Sequence, residues 1–350
     1  LKVGPKSAGA EPGPLCYGNG GSEVTVTDAH MLLGRIPPHL LGGEVPLQPA
    51  AARAGLLALA ARLNLSPEAC ATGVLEISAW NQANALRQIT VKRGLDVRDF
   101  VLTTFGGSGS LLLCRLVDIL GLRAVLVPPN PGNVSAFGLL TVDVRNDYVQ
   151  TSVARHDELA CAGVERTFAE LAGQAGQALL REGFPPEQHR CARTADLRYF
   201  GQAFEVRVPV PDGPLDQPAL DAVAGAFHDA HRDLYGYDFR DERSQQVEWV
   251  NLRVTGIGPI RRPELPPHPA RAGSPARALT GSRQVCFDDL GYLETPLYSR
   301  VELGCGDVIT GPAVIEEFGS TVPLHPGFRA EVDRFGNLLV TRSDAERMVA

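Results

Sequence analysis

The stretch from Ser66 to Val127 constrains the fold more than any other part of the chain. Ser66-Pro67-Glu68 pairs a capping serine with a proline at the first helical position. It predicts a long helix from about Ser66 to Arg93, with Leu75, Ala79, Leu86 and Ile89 as its apolar stripe and Gly94 as its stop. A β-strand, Phe100-Val101-Leu102-Thr103-Thr104, then runs into Phe105-Gly106-Gly107-Ser108-Gly109. A second helix is expected over 110–120, and a strand over Ala124-Val125-Leu126-Val127, stopped by Pro128-Pro129. Helix, strand, glycine turn, helix, strand is the order of an α/β layer with parallel strands.

The flanking segments have other characters. Residues 1–40 are dense in turn signals, with Val24-Thr25-Val26-Thr27 extended and Asp28 placed where a helix N-cap would sit. Residues 51–63 are helical in period. An amphipathic helix is expected over 157–182, with Val164, Phe168, Leu171, Ala175 and Leu179 on one face. A strand pair follows within 198–208, then a helix over 217–234 and a strand over 247–254. Residues 258–282, rich in Pro, Arg and Ala, read as a surface linker, and 283–342 as short strands. A chain of 350 residues has room for two or three domains. After Gly183 the character changes from helical to strand-rich.

Charge and cysteine usage exclude several function classes. The net charge is -7, without a basic run, so nothing in the chain attracts nucleic acid or an anionic membrane. No apolar run approaches the ~18 residues of a membrane span. Seven cysteines (16, 70, 114, 161, 191, 286 and 305) are dispersed without a CxxC pair, which fits neither a disulfide framework nor a zinc knuckle. A reduced cytoplasm is expected. The opening Leu1-Lys2-Val3-Gly4-Pro5 reads as the middle of a longer polypeptide.

Among residues capable of chemistry, the turn at 106–109 comes first. Consecutive glycines between a strand and a helix let backbone approach a ligand and aim N–H groups at negative charge; the same pattern also makes a plain tight turn. It is not a Walker loop, because no Gly-Lys-Ser/Thr follows. Asp28 is a candidate catalytic residue or a helix cap. Cys16 has no neighbouring base to activate it, which favours a structural thiol. His228 and His231 share a helix face at metal-ligand spacing, but no third ligand presents itself. Glu316-Glu317 and Asp288-Asp289 read as solvated charges.

Several blocks in order carry a family resemblance. They are Ser7-Ala8-Gly9-Ala10-Glu11-Pro12-Gly13-Pro14-Leu15-Cys16-Tyr17-Gly18 with Thr25-Val26-Thr27-Asp28-Ala29 and Leu33-Gly34-Arg35, then Phe105 to Gly109, then Val127-Pro128-Pro129-Asn130-Pro131-Gly132 with Ser135-Ala136-Phe137-Gly138. The later half adds Leu197-Arg198-Tyr199-Phe200-Gly201-Gln202, Tyr235-Gly236-Tyr237, Val250 to Val254, and Gly311-Pro312-Ala313-Val314-Ile315-Glu316. Over almost its whole length the chain resembles the C-terminal part of a hydantoinase A/5-oxoprolinase-type subunit. His30 stands where the family more usually has Asn, and Ser110-Leu111-Leu112 where it often has Pro-Leu-His.

The resemblance implies the second lobe of an actin-like, sugar-kinase-like ATPase fold over residues 1–150, followed by a β-rich α+β C-terminal domain over residues 151–350. It implies ATP and Mg²⁺, with Gly106, Gly107, Ser108 and Gly109, and the preceding helix at Asn84 and Arg87, on the nucleoside side. The family's Asp-x-Gly-Gly-Thr phosphate loops have no counterpart in the chain and are expected upstream of it, so the chain alone is expected to be inactive. The implied reaction is ATP-dependent ring opening of a cyclic amide (hydantoin, N-methylhydantoin or 5-oxoproline type), performed with a hydantoinase B-type subunit. The alternatives are a subunit of an acetone/acetophenone-type carboxylase and a non-catalytic scaffold.

Overall fold

The constraining stretch folds as a parallel β-α-β unit. The computed structural model describes residues 1–242, 245–269 and 274–343, with Asp289 described by its backbone only. The chain opens with helix α1 (Val26–Leu32), a two-residue hairpin β1 (His39–Leu40) and β2 (Val45–Pro46), and helices α2 (Pro49–Leu63) and α3 (Pro67–Lys92). Then come β3 (Leu102–Thr103), α4 (Leu113–Leu120), β4 (Val125–Val127) and α5 (Val134–Leu139). β3 and β4 pair in parallel, Leu102 opposite Val125 and Thr103 opposite Leu126.

Helix starts follow from caps. Ser66 Oγ accepts the Ala69 N–H, and Pro67, which has no N–H to leave unsatisfied, opens α3. The buried face of α3 includes the expected Leu75 and Ala79, joined by Cys70, Ala71, Val74 and Ala83. Leu86 is partly covered, but Ile89 is 59% exposed, so the stripe stops short of the helix end. α1 begins earlier than the sequence suggests: Thr25 is the cap and Asp28 occupies the third helical position, completing a capping box. α4 begins later, at Leu113 rather than 110, so Gly106–Gly109 form a separate turn and not the first turn of a helix.

Residues 139–263 form a compact unit of their own. It contains β5 (Val144–Arg155), α6 (Cys161–Arg181), β6 (Arg190–Tyr199), β7 (Val206–Val210), α7 (Gln217–Tyr235) and β8 (Val247–Gly258). The sheet is antiparallel in the order β5-β8-β6-β7. Phe168, Leu171 and Ala175 of α6 and Leu220 and Phe227 of α7 pack against Leu197, Tyr199, Trp249 and Val254 of the sheet. Gly256 lets α6 lie close, since a Cβ there would meet the Ala175 Cβ at 2.8 Å. β5 has no counterpart in the sequence reading: it is an edge strand, half to fully exposed along its length, and carries little hydrophobic alternation.

Beyond 263 the chain rejoins the first unit, which comprises 1–138 and 264–350. The described part of the expected linker has no regular structure until a short 3₁₀ turn at Pro275–Ala278, and the next strand starts at 279, inside the expected linker. The tail gives β9 (Leu279–Cys286), β10 (Tyr292–Ser299), β11 (Val308–Thr310), β12 (Ala313–Glu317), β13 (Ser320–Leu324), β14 (Phe328–Val332) and β15 (Leu338–Arg342). One sheet runs β13-β12-β10-β9 and the other β11-β14-β15-β4-β3. The tail is therefore not a separate layer: β15 pairs with β4, and Ile309, Phe328 and Val340 share a core with Leu113, Leu116 and Val125.

Truncating Phe168, which is fully buried between α6 and the sheet, removes the largest α6 contribution to the second core. Phe168→Ala is expected to destabilise that unit by about 3–5 kcal/mol, read as a lower denaturant midpoint with an unchanged slope.

Candidate functional site

The carboxyl ends of the two parallel strands, the usual ligand edge of an α/β layer, are built from three convergent loops. After β3 the chain enters the glycine turn; after β4 it enters Pro128–Asn133. The two are tied by the Gly106 N–H donating to Pro131 O at 2.7 Å. Below the turn, Thr104 Oγ1 and Ser110 Oγ lie 2.9 Å apart and buried, closing its neck. Ser110 thus has a definite structural role at its departure from the family pattern. Leu112, the other departure, is buried in the core that includes Ala29 and Leu33.

The third loop is the β12–β13 turn, Glu317 to Ser320. Asn130 takes a left-handed conformation (φ 49°, ψ 55°) that turns its N–H to Glu317 Oε2 at 3.1 Å. A Cβ on Gly107 would stand 3.1 Å from Gly319 O, and one on Gly132 would stand 3.6 Å from it. Arg300, 7% exposed, lies behind these loops and donates through Nη2 to Val127 O at 3.2 Å and to Gly336 O at 2.5 Å. Its Nη1 is buried and, among the described residues, has no hydrogen-bond partner. Burial pulls the guanidinium down to about 10, against the charges of Glu317 and Asp333. Burial likewise raises the Glu317 carboxyl, offset by Arg300 and the Asn130 N–H. Glu317 is therefore not a solvated charge, and Glu316 pairs with Arg283 at 3.0 Å. Asp288 too is engaged, by Arg35 at 2.8 Å, while the side chain of Asp289 lies outside the described residues.

The glycines have different reasons for being glycine. Gly109 is required by the turn itself, because a Cβ would sit 2.1 Å from Phe105 O. Gly107 is favoured by the close approach of Gly319, whose carbonyl a Cβ would crowd at 3.1 Å. Gly106 has φ 81° and open space where a Cβ would point, which leaves its backbone approachable from outside. The phosphate loops and a metal clamp have no counterpart here, and no group of three metal-ligating side chains occurs among the described residues.

The remaining candidates separate. Asn84 is exposed on α3. Arg87 donates to Ile119 O at 2.7 Å, placing its charge at the carbonyl end of α4, and stacks over Trp80. That contact is structural. Asp28 is fully buried and accepts four hydrogen bonds, from Leu15 N, Cys16 N, Thr25 N and Thr25 Oγ1, which fills a carboxylate's capacity. The geometry makes it the N3 partner of the Thr25 cap and the group that holds the Pro/Gly-rich loop. Cys16 is fully buried, its thiol pushed up to about 12 by burial and then by Asp28, so it is no nucleophile.

His228 and His231 take different partners: His228 Nδ1 and Tyr199 Oη are hydrogen-bonded at 2.6 Å, and His231 Nδ1 bonds to Tyr237 O at 2.8 Å. A cleft of about 480 Å³ in the second unit is lined by His156, Asp221, His228 and Arg240. Both nitrogens of His156 are already used there, by Trp249 and Asp221.

Two family models match the chain, Hydantoinase/oxoprolinase over residues 1–148 and Hydantoinase/oxoprolinase C-terminal domain over residues 151–341. The chain belongs to the hydantoinase/oxoprolinase family. It is 34% identical to the caprolactamase subunit alpha of Pseudomonas jessenii over 95% of this chain and 48% of that relative. The ATP-dependent caprolactamase of the same organism matches in structure with a TM-score of 0.77 at 32% identity, over 98% of this chain and 50% of that one. A nucleotide-free acetone carboxylase matches with a TM-score of 0.75 at 26% identity, over 97% of this chain and 49% of that one. The chain thus spans about half the length of these relatives. The α/β fold class, an actin-like lobe with a β-rich C-terminal domain, is that of the family. No helix among the described residues is long and apolar enough to cross a membrane.

Two outcomes follow for stability. Gly109→Ala forces the Phe105 carbonyl aside and is expected to cost about 1–3 kcal/mol, measurable by denaturant titration. His30, at the family's Asn position, is fully buried with no partner for either ring nitrogen among the described residues. Burial, then Arg35 and His325, holds it down to about 3, and His325 is held down to about 3 in the same way. The unfolded chain binds these protons from near pH 6.5 downward and the folded chain does not, so stability falls as pH drops from 6.5 towards 3. In His30→Asn, the slope of unfolding free energy against pH in that window is expected to lessen by about one proton.

Proposed function

We propose that this chain forms the nucleoside side of the ATP site in an enzyme that opens cyclic amide rings, of hydantoin, N-methylhydantoin, 5-oxoproline or lactam type. The observation that supports the reading is the open backbone at Gly106, set at the carboxyl ends of a parallel strand pair and braced by two further loops. Bound ATP would transfer a phosphoryl group to the amide oxygen and so remove the amide resonance. Water would add to the ring carbon, the ring C–N bond would break with the nitrogen leaving protonated, and a second water would release phosphate from the acyl phosphate so formed. In this reading Gly106 and Gly107 present backbone to the ribose and α-phosphate, while Ser108, Gly109 and Ser110 hold the turn in shape. Asn84 remains a proposed nucleoside contact, and Arg87 acts by fixing α4. Asp28 keeps the Pro/Gly-rich loop in place.

The metal and the β- and γ-phosphates would be held by residues outside this sequence, so the chain alone would not turn over. A B-type subunit would complete the assembly in the cytoplasm. A carboxylase reading has its own support in the likeness to acetone carboxylase.

The full-length protein, co-expressed with its partner subunit, is the material for the test. Phosphate release is expected with ATP plus a cyclic amide, and Gly106→Val is expected to raise KM for ATP about ten-fold or more, since its side chain fills the open face and a β-branched residue at φ 81° also displaces the turn. Release with a ketone and bicarbonate but with no cyclic amide would replace this reading by the carboxylase one. No ATP dependence with either would leave the scaffold.

A further inference from the structure

We infer that Glu317 is a ribose-binding residue of the nucleotide site, accepting a hydroxyl of the cis-diol through Oε1. The inference rests on the nucleotide reading of the glycine turn and adds to it a group from a distant part of the sequence.

Three observations place it there. Glu317 ends β12, and its hairpin lies against the glycine turn through Gly319 and against the Pro128–Asn133 loop through Asn130. Only Oε2 is engaged, by the Asn130 N–H; Oε1 has no hydrogen bond among the described residues and is not sealed from solvent. The side chain is thus held at one oxygen and offers the other on the same edge as Gly106. Burial raises the Glu317 carboxyl, and the guanidinium of Arg300 behind it works the other way without forming an ion pair with it among the described residues, where Arg300 Nη1 also has no partner. A half-buried carboxylate whose countercharge does not occupy it is suited to a neutral donor. Ribose hydroxyls are such donors, and a carboxylate accepts them with charge-assisted strength. A phosphate would be repelled, which orients the nucleotide with its sugar towards the hairpin and its phosphates away from it. Exposed Phe318, on the same hairpin, offers an apolar face beside the sugar position.

The test compares ATP with 2′-deoxy-ATP and 3′-deoxy-ATP in the complete enzyme with its partner subunit, measuring kcat and KM for each. The unaltered enzyme is expected to prefer ATP over at least one deoxy analogue by about ten-fold or more in kcat/KM, the size of one charge-assisted hydrogen bond. Glu317→Ala is expected to bring that ratio near one, with the loss falling on KM for ATP rather than on kcat. Glu317→Gln keeps an acceptor for the Asn130 N–H, so it separates loop support from sugar binding; an intermediate ratio with a wild-type melting temperature is expected. A residue that only braced the loop would weaken all three nucleotides equally and leave the ratio unchanged, which overturns the inference. So does an unaltered enzyme that uses ATP and both deoxy analogues equally well. An enzyme that shows no nucleotide dependence at all overturns the nucleotide reading itself, and this inference with it.

Discussion

The pairing of β15 with β4 is the constraint on which the first unit depends. β4 is three residues long, Val125-Leu126-Val127, and both valines are fully buried. A strand so short cannot satisfy its backbone alone, and β3, with two residues, covers only one edge. The other edge is closed by Leu338, Leu339 and Val340, more than two hundred residues later in the chain. That ladder brings the tail to the glycine turn, and with it the hairpin that carries Glu317 and Gly319. The candidate site is therefore shared between the start and the end of the sequence.

The helical layer is anchored by a comparable long-range tie. Arg35, fully buried after α1, donates to Cys286 O at 3.1 Å and to Asp288 Oδ1 at 2.8 Å, while Arg283 Nε donates back to Gly34 O at 2.8 Å. A buried charge is tolerable only when such partners satisfy it, and removing one partner costs more than the pair contributes. The loop following α1 is thus fixed to β9 by groups that cannot easily separate. His30 and His325 sit in the field of the same arginine, which adds to the burial that keeps both neutral.

Much of this was legible locally. Ser66 and Pro67 announced α3, the five apolar positions of α6 are all buried, and the strand–turn–helix–strand order predicted the parallel pair. What misled were short-range ambiguities. Asp28 can sit at the cap or at the third helical position, and the choice fell to Thr25 because its hydroxyl and the Asp28 carboxylate satisfy each other's backbone. β5 escaped notice because an edge strand exposed along its length needs no apolar period. Glu316-Glu317 reads as solvated charge because nothing in an acidic pair shows that Arg283 and the Asn130 N–H engage its two members.

The sequence by itself determined the family, the α/β class and the position of the glycine turn, because each is written in contiguous residues whose backbone preferences and periods are local. Only the tertiary structure decided why each glycine is there, with Gly109 answering to its own turn, Gly107 to the tail hairpin and Gly106 to open space. It also decided that the tail belongs to the first unit and that Arg87, Asp28 and Cys16 are already engaged or sealed within the fold. Those outcomes depend on which distant strand completes a buried edge, and no local pattern encodes a partner two hundred residues away.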